Sequence, residues 1–317
     1  MISTKDFTII IPAISYKDVK TCIKKIRQKY NKIKIIVCLN ELNLKKNIDK
    51  NLKFIITNKK SIGKKRNLAV NISKTKYLAL IDSDAYPGKN WIESTYKYLK
   101  IKKLGIIAGP HIDPLKQNDS EKLIGLVKKS FFITMRPKLQ KSDKEKLQFV
   151  KFAPSVNWIM SKKFFTSMNQ MDDQMLRNED WDFVHRMKKK KIKLLYSPKT
   201  FVYHENGSIS HFVKKRFYYG FHMWPILLKL NFENYYLFTP LFAVILLLSF
   251  PISLFLDHYF FIYIFILISY VFFMIAETLR ICDRVYNFPK ILILLMFASI
   301  SPGLGTLMGI FKFLKNK

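Results

Sequence analysis

The chain has 317 residues, 49% of them hydrophobic and 24% charged, and a formal net charge of +33; that length suggests two or three folded units with ample material for a core. The charge does not indicate nucleic acid as a partner, because 47 of the 55 basic residues are Lys and eight are Arg, and Arg is the side chain that forks onto base edges and phosphates. The three cysteines, Cys22, Cys38 and Cys282, have neither a C-x-x-C spacing nor an even count, which excludes a disulfide framework and a structural zinc and suggests a reduced compartment.

Phe7–Pro12 reads as a buried strand ending at a proline, too short and too poor in a basic lead to be a secretory signal, so the front portion is expected in the cytoplasm. Val19, Cys22, Ile23 and Ile26 have helical spacing, Ile33–Leu39 is a second β-branched run, and Phe54–Thr57 is a third. Ser61–Val70 predicts a glycine turn entering a helix, whose first amides with Lys64, Lys65 and Arg66 suit an anionic phosphate; a solvated basic helix is the alternative. Tyr77–Ile81 is a continuous apolar run, as expected of a strand covered on both faces. Strands and helices alternating at these lengths predict a right-handed, mostly parallel α/β sheet.

The run ends abruptly in Asp82-Ser83-Asp84, followed by Pro87-Gly88. Side chains at i and i+2 of an extended chain share a face, so the two aspartates are expected to converge at the strand's carboxyl end, where ligands sit in open α/β sheets. Two carboxylates there can seat a hard divalent cation carrying phosphates, and a solvated turn is the plainer reading of the same residues.

Gly105–Gly109 is another short strand. Residues 110–146 are polar and lysine-rich, an excursion expected to hold one or two helices and to act as a lid. Residues 149–160 return to an apolar pattern interrupted by Pro154, Ser155 and Asn157, which line a pocket or make a turn. Residues 178–190 predict a helix capped by Asn178, with Glu179 and Asp180 in its first turn and Lys188–Lys191 at its end. The helix dipole accounts for both charge clusters; the functional alternative is an acid projecting into the cleft as a base. Leu194–Pro198 and Phe201–His204 are short strands, and His204 is either a third metal ligand or a hydrogen-bonded surface residue.

The composition changes at Leu237. Residues 211–236 mix Lys214, Lys215 and Arg216 with aromatic residues, as in a segment lying in a membrane interface. The uncharged blocks 237–256 and 259–276 are each about the length of a bilayer crossing and predict a tight helical hairpin. Arg280, Arg284 and Lys290 place the following loop in the cytoplasm by the positive-inside tendency. Residues 291–311 form a third apolar stretch interrupted by Ser301-Pro-Gly-Leu-Gly305; a re-entrant hairpin would keep Lys312, Lys315 and Lys317 in the cytoplasm, whereas a simple crossing would not. The expected division is a catalytic domain over 1–210, an interfacial segment over 211–236 and a membrane domain over 237–317.

In order, the segments TIIIPA, GKKRNLAVN, YLALIDSDAYPGKNWIE, VNWIMSKKFF, NEDWDFVHRM and VYHENGS resemble glycosyltransferase family 2, over roughly residues 6–220. The resemblance implies a GT-A fold, a Rossmann-like, mostly parallel α/β domain, here followed by transmembrane helices as in members acting on lipid-linked or cell-surface glycans. It further implies that Asp82 and Asp84 hold a metal and a sugar-nucleotide diphosphate, with His204 as a further ligand, and that Glu179 and Asp180 supply the catalytic base. Pro12, Glu41, Gly63, Arg66, Asp82, Ser83 and Asn157 become the candidates for holding the donor. Where relatives carry base-reading acids after the second strand, this chain has Cys38-Leu-Asn-Glu41. The implied activity is inverting transfer from a nucleotide-diphosphate sugar to a glycan or lipid-linked hydroxyl at the cytoplasmic membrane, with Mn2+ or Mg2+ and contacts to membrane lipids. A nucleotidyl or phosphosugar transferase and a non-catalytic membrane adaptor are the competing readings. For Asp180 to act as base, burial or a neighbouring acid would have to lift its pKa from about 3.9.

Overall fold

The buried run Phe7–Pro12 forms β1, with Ile9 and Ile11 packed into one apolar cluster and Ile10 into another, as expected of a strand covered on both faces. Lys34–Leu39 forms β2, Leu52–Ile56 β3, Tyr77–Ile81 β4, Ala85–Pro87 β5, Leu104–Ala108 β6, His111–Ile112 β7, Gln148–Val150 β8, Asn157–Ser161 β9, Lys193–Tyr196 β10 and Val202–His204 β11. The structure is a computed structural model that describes residues 2–41, 49–134, 146–229, 238–255 and 257–315.

Eight strands form one sheet in the order β3-β2-β1-β4-β9-β6-β10-β8. β3, β2, β1, β4, β6 and β10 run one way, and β9 and β8 run against them. The strand order reverses between β1 and β4, so a crevice opens at their carboxyl ends. Antiparallel β9 pairs Asn157 with Ile81 and therefore delivers the residues just before it to that same edge. A second sheet, β5-β11-β7, stands beyond the end of β4, with His204 paired to Ala85.

Helix α1 (Tyr16–Lys29) covers one face through Val19, Cys22, Ile23 and Ile26, and starts at Ser15, whose N–H donates to Asp18 Oδ2 at 2.9 Å. On the other face lie α2 (Ile62–Ile72), α4 (Lys162–Ser167) and α5 (Glu179–Lys189), while α3 (Asp119–Val127) belongs to the second unit. They contribute Ala69, Val70, Phe165, Phe183 and Met187 to the second cluster.

Asn157 is fully buried in the large sheet. Its amide accepts from Trp91 Nε1 at 2.7 Å and donates to the Thr200 carbonyl at 2.6 Å and to the Pro110 carbonyl at 3.5 Å. Asn157, an expected donor-binding residue, thus makes its described hydrogen bonds to protein groups. A buried amide whose donors and acceptor all face protein braces three connections and has no group left for a ligand.

The chain divides into two units, Met1–Pro114 with Lys138–Glu205, and Leu115–Pro137 with Asn206–Lys317. The division after Glu205 lies near the expected boundary at residue 210, and Leu115–Pro137, part of the expected excursion over 110–146, belongs to the second unit. Ile124 and Val127 on α3, an apolar face hidden in a polar stretch, pack with Phe212, Met274 and Ile291 of the second unit. Residues 135–145, 230–237 and Lys317 lie outside the described residues.

In the second unit the lysine- and aromatic-rich stretch forms α6 (Ile209–Phe221) and α7 (Met223–Lys229). The expected continuous span 237–256 is instead two helices, α8 (Thr239–Leu248) and α9 (Phe250–Ser253), because Pro251 cannot donate into a continued ladder. Helices α10 (Asp257–Ile281) and α11 (Phe288–Lys315) follow. Among the described residues, two segments are long and apolar enough to cross a membrane, Tyr259–Ile281 and Val285–Lys315.

Helix α11 runs unbroken through Pro302, against the expectation of a re-entrant break over 291–311. Proline leaves the carbonyl four residues back without its partner, and that carbonyl, of Ala298, accepts instead from Arg216 Nε on α6. Gly305 and Gly309 allow the two helices this approach: a Cβ on Gly305 would stand 2.0 Å from the Phe217 carbonyl oxygen, and one on Gly309 2.2 Å from that of Phe221.

Replacing Asn157 by Ala is expected to lower stability by about 1–3 kcal/mol, since the Trp91 N–H and two carbonyls lose their partner. Thermal melting with and without nucleotide checks it: a lower melting temperature with an unchanged ligand-induced shift is expected, and loss of the shift alone would restore Asn157 to the ligand site.

Candidate active site

The candidate metal ligands are brought together where β4 meets the small sheet. Residues 82–84 form a turn and not a strand extension, closed by the Ala85 N–H donating to the Asp82 carbonyl at 3.1 Å. The two aspartates therefore converge through the turn, and not through the strand alternation expected from their spacing. Pairing of β5 with β11 and the Glu205 N–H bond to the Asp84 carbonyl, at 2.9 Å, set His204 beside them. Ligating atoms of Asp82, Asp84 and His204 lie within 4.8 Å of one another, with His204 Nε2 at 3.3 Å from Asp84 Oδ1. His204 is buried and its Nδ1 has no hydrogen-bond partner, so Nε2 is the nitrogen turned to the carboxylates. Two carboxylates and one imidazole fit an oxygen-preferring divalent cation, and the nitrogen favours Mn2+ over Mg2+.

The opposite side is built on α5. Asn178 takes a left-handed conformation (φ +65°), which Asn tolerates better than most residues, and turns the chain so that Glu179 and Asp180 open the helix. Ser155 arrives from the residues preceding β9. Between the two sides lies Arg66 of α2, 1% exposed. Its Nη2 donates to Asp82 Oδ1 at 2.9 Å, and its Nη1 to Glu179 Oε1 at 2.9 Å and to Ser155 Oγ at 2.8 Å.

Asp180 has no direct bond to Arg66 among the described contacts. Its Oδ2 accepts from the Ser155 N–H at 3.3 Å and hydroxyl at 3.4 Å, and its Oδ1 from the Trp181 N–H at 2.9 Å. Burial raises the Asp180 carboxyl above its ordinary range, against the Arg66 charge and those amides. Burial, helped by the Asp180 charge, also raises Glu179, and Arg66 opposes it. The adjacent acids are thus unequal: Glu179 is bound to a guanidinium, while Asp180 is half-buried and held by uncharged donors.

The remaining candidates separate. Ser83 sits in the turn between the two aspartates, and Pro12 is buried at the end of β1. Glu41 is exposed just past β2, at the border of the described residues. At Gly63 a Cβ would meet the Asp172 carbonyl at 3.0 Å and Glu179 Cβ at 3.6 Å, so this glycine lets α2 approach the segment leading into α5. Arg66, expected beside the nucleotide, is bonded to Asp82 and Glu179, and Asn157 is buried. Ser155, ambiguous in sequence, becomes the link between Arg66 and Asp180. Lys65 was not expected in any structural role; its buried amine donates to the Ala13 carbonyl after β1, and burial lowers its pKa.

No curated protein sequence matches the chain. Among solved structures, the mannosyltransferase PcManGT from Pyrobaculum calidifontis, solved with GDP-Man and Mn2+, is 10% identical and superposes over 94% of this chain and 86% of its own with a TM-score of 0.55, which shows a common fold. GalNAc-T7, solved with UDP, GalNAc and Mn2+, is 12% identical over 62% of this chain and 43% of its own (TM-score 0.46). S. aureus TarS is 14% identical over 66% and 38% (TM-score 0.46), so this chain spans less than half the length of each of the latter two. The sequence profile described as glycosyl transferase family 2 matches residues 8–167, which is 160 of the 317 residues. With its mostly parallel α/β sheet of the GT-A kind, the chain belongs to glycosyl transferase family 2.

Proposed function

We propose that this protein is a metal-dependent inverting glycosyltransferase that moves a sugar from a nucleotide-diphosphate donor to a hydroxyl of a lipid-linked or cell-surface glycan. The observation that carries the reading is Arg66, whose two Nη atoms hold Asp82 of the metal-binding turn and Glu179 beside Asp180 at 2.9 Å each. PcManGT, which shares the fold, was solved with a nucleotide-diphosphate sugar and Mn2+, in keeping with that donor class.

Asp82, Asp84 and His204 would hold Mn2+ or Mg2+, which when bound neutralises charge developing on the departing diphosphate. Asp180 Oδ2 takes the proton of the acceptor hydroxyl as its oxygen attacks the anomeric carbon. With the base and the departing diphosphate on opposite faces of that carbon, a single displacement would invert it. Glu179, bound to Arg66, positions the first turn of α5. Ser155 holds Asp180 through its hydroxyl and amide, orienting the carboxylate while leaving it accessible. Pro12, Ser83 and Glu41 remain candidates for the donor's nucleotide end.

The two membrane-length helices, with Arg280 and Lys290 at their adjoining ends and Arg284 between them, favour a multi-pass protein of the cytoplasmic membrane with its catalytic domain in the cytoplasm. Synthesis of cell-envelope polysaccharide suits that location.

Asp84→Asn is expected to lower Mn2+-dependent release of nucleoside diphosphate by more than the roughly 100-fold typical of losing an outer-shell metal partner. Chromatography of the products decides the reaction type: retained turnover contradicts the reading, and pyrophosphate in place of nucleoside diphosphate would make the protein a nucleotidyl transferase.

A base must be deprotonated, and the Asp180 carboxyl is raised, so kcat/KM should fall on the acid side with a midpoint above the ordinary aspartate value of about 3.9. Ser155→Ala removes a donor that favours the charged carboxylate, and should move this limb to higher pH. A limb that stays fixed or moves down would exclude Asp180 as the titrating base.

A further inference from the structure

Arg216 on α6 carries a charge that the second unit does not balance. Its Nε donates to the Ala298 carbonyl on α11 and its Nη1 to the Ile133 carbonyl at 3.3 Å, while Nη2 has no acceptor among the described residues. Both acceptors are neutral. Burial lowers the Arg216 pKa to about 10, so the guanidinium is charged at neutral pH. A half-buried cation held by carbonyls alone is costly until an anion meets it.

The second-unit carboxylates whose side chains are described are engaged elsewhere. Glu277 accepts from the Phe131 N–H and from Arg280 Nε, each at 2.6 Å, and Asp283 accepts from Asn287 Nδ2 at 3.0 Å. Asp119 accepts from Lys122 Nζ at 3.2 Å, and Glu121 from the Asn118 N–H at 2.9 Å. Glu277 thereby ties the turn after α3 to α10, two residues before the carbonyl that Arg216 holds. The guanidinium is thus fixed by two braced segments with its Nη edge still able to donate.

The surroundings indicate which anion suits that edge. Lys214, Tyr218 and Tyr219 are exposed on the same helix. Phe132, Ile133, Val213 and Tyr270 are partly buried at the margin of the apolar cluster around Phe212 and Ile291. Helix α10 leaves Phe261, Phe265 and Phe272 exposed, as a lipid-facing helix does. A fixed cation beside an apolar margin meets phosphate where headgroups border hydrocarbon, and the planar guanidinium matches two phosphate oxygens at once. A carboxylate on another protein would fit the guanidinium but leave the apolar margin in water.

We propose that Arg216 is a phosphate-binding residue of the second unit, its Nη edge taking the oxygens of a lipid headgroup or of free phosphate. The site is independent of the transferase reading. Because the same side chain holds the Ala298 carbonyl, a bound phosphate would also stabilise the contact between α6 and α11.

The test uses the full chain in a neutral maltoside detergent at constant ionic strength. Melting temperature is followed as phosphatidylglycerol, diacylglycerol with the same acyl chains, inorganic phosphate or acetate is added. A phosphate-bearing probe is expected to raise it to saturation, and acetate and diacylglycerol are not. Half-saturation by phosphatidylglycerol at a lower concentration than by inorganic phosphate assigns the lipid as the source; the reverse order assigns free phosphate. Arg216→Gln keeps an N–H for the Ala298 carbonyl but removes the charge, and should raise the half-saturating concentration roughly tenfold or more. Arg216→Lys keeps the charge without the fork and should fall between Gln and wild type; it carries the comparison if the Gln variant does not fold. Lys214→Gln should leave the value unchanged. No saturating rise in the wild type, or a rise shared with acetate or diacylglycerol, would overturn the proposal. So would half-saturation unchanged in the folded Arg216 variant, or shifted equally by Lys214→Gln, which would reduce the effect to general attraction by a lysine-rich surface.

Discussion

A single buried guanidinium organises the catalytic unit. Arg66 is 1% exposed and binds Asp82 and Glu179 at 2.9 Å each. A buried charge is costly unless paired, and removing one partner of such a pair typically costs about 3–5 kcal/mol. The turn after β4 and the start of α5 are therefore not free to move apart, although they lie about a hundred residues apart in the chain. The guanidinium also leaves the site short of positive charge: one Arg faces Asp82, Glu179 and Asp180, with Asp84 nearby. Such a surplus of acid suits a divalent cation arriving with a diphosphate.

Much of this architecture is legible in the sequence. The buried runs at Phe7–Pro12 and Tyr77–Ile81 and the apolar spacing of Val19, Cys22, Ile23 and Ile26 each form the expected element. Asp82, Asp84 and His204 are candidates by position, and the structure groups them. The partners of polar side chains are less legible. Arg66 reads as a phosphate-binding residue and Asn157 as a pocket residue, because periodicity reports burial but not which donor meets which acceptor. Antiparallel β9, which brings Ser155 to the site, carries no signal that distinguishes it from a parallel strand. The apolar face of α3 is too short to stand out among lysines, so the second unit's claim on residues 115–137 is not visible in the sequence.

The second unit illustrates a rule set aside by tertiary contact. Ser301-Pro-Gly-Leu-Gly305 reads as a helix break, yet α11 continues through it because Arg216 supplies the missing donor to the Ala298 carbonyl. Gly305 and Gly309 have the spacing that in apolar helices permits close helix pairing. Here that groove holds α6 of the same chain, backbone against backbone. The basic and aromatic stretch expected to lie in a membrane interface thus includes α6, a helix packed against α11. By contrast α10 keeps Phe261, Phe265, Ile268 and Phe272 exposed, a surface suited to lipid.

The central claim is that two carboxylates and one imidazole share a divalent ion at the end of β4. Electron paramagnetic resonance of Mn2+ bound to the full chain in nanodiscs tests it most directly, through the hyperfine coupling of the ion to ligand nitrogen. With a nucleoside diphosphate present, the account predicts an imidazole nitrogen coupling that disappears in His204→Ala while Mn2+ still binds more weakly through Asp82 and Asp84. Mn2+ bound without any nitrogen coupling, or a coupling unchanged by the substitution, would contradict it.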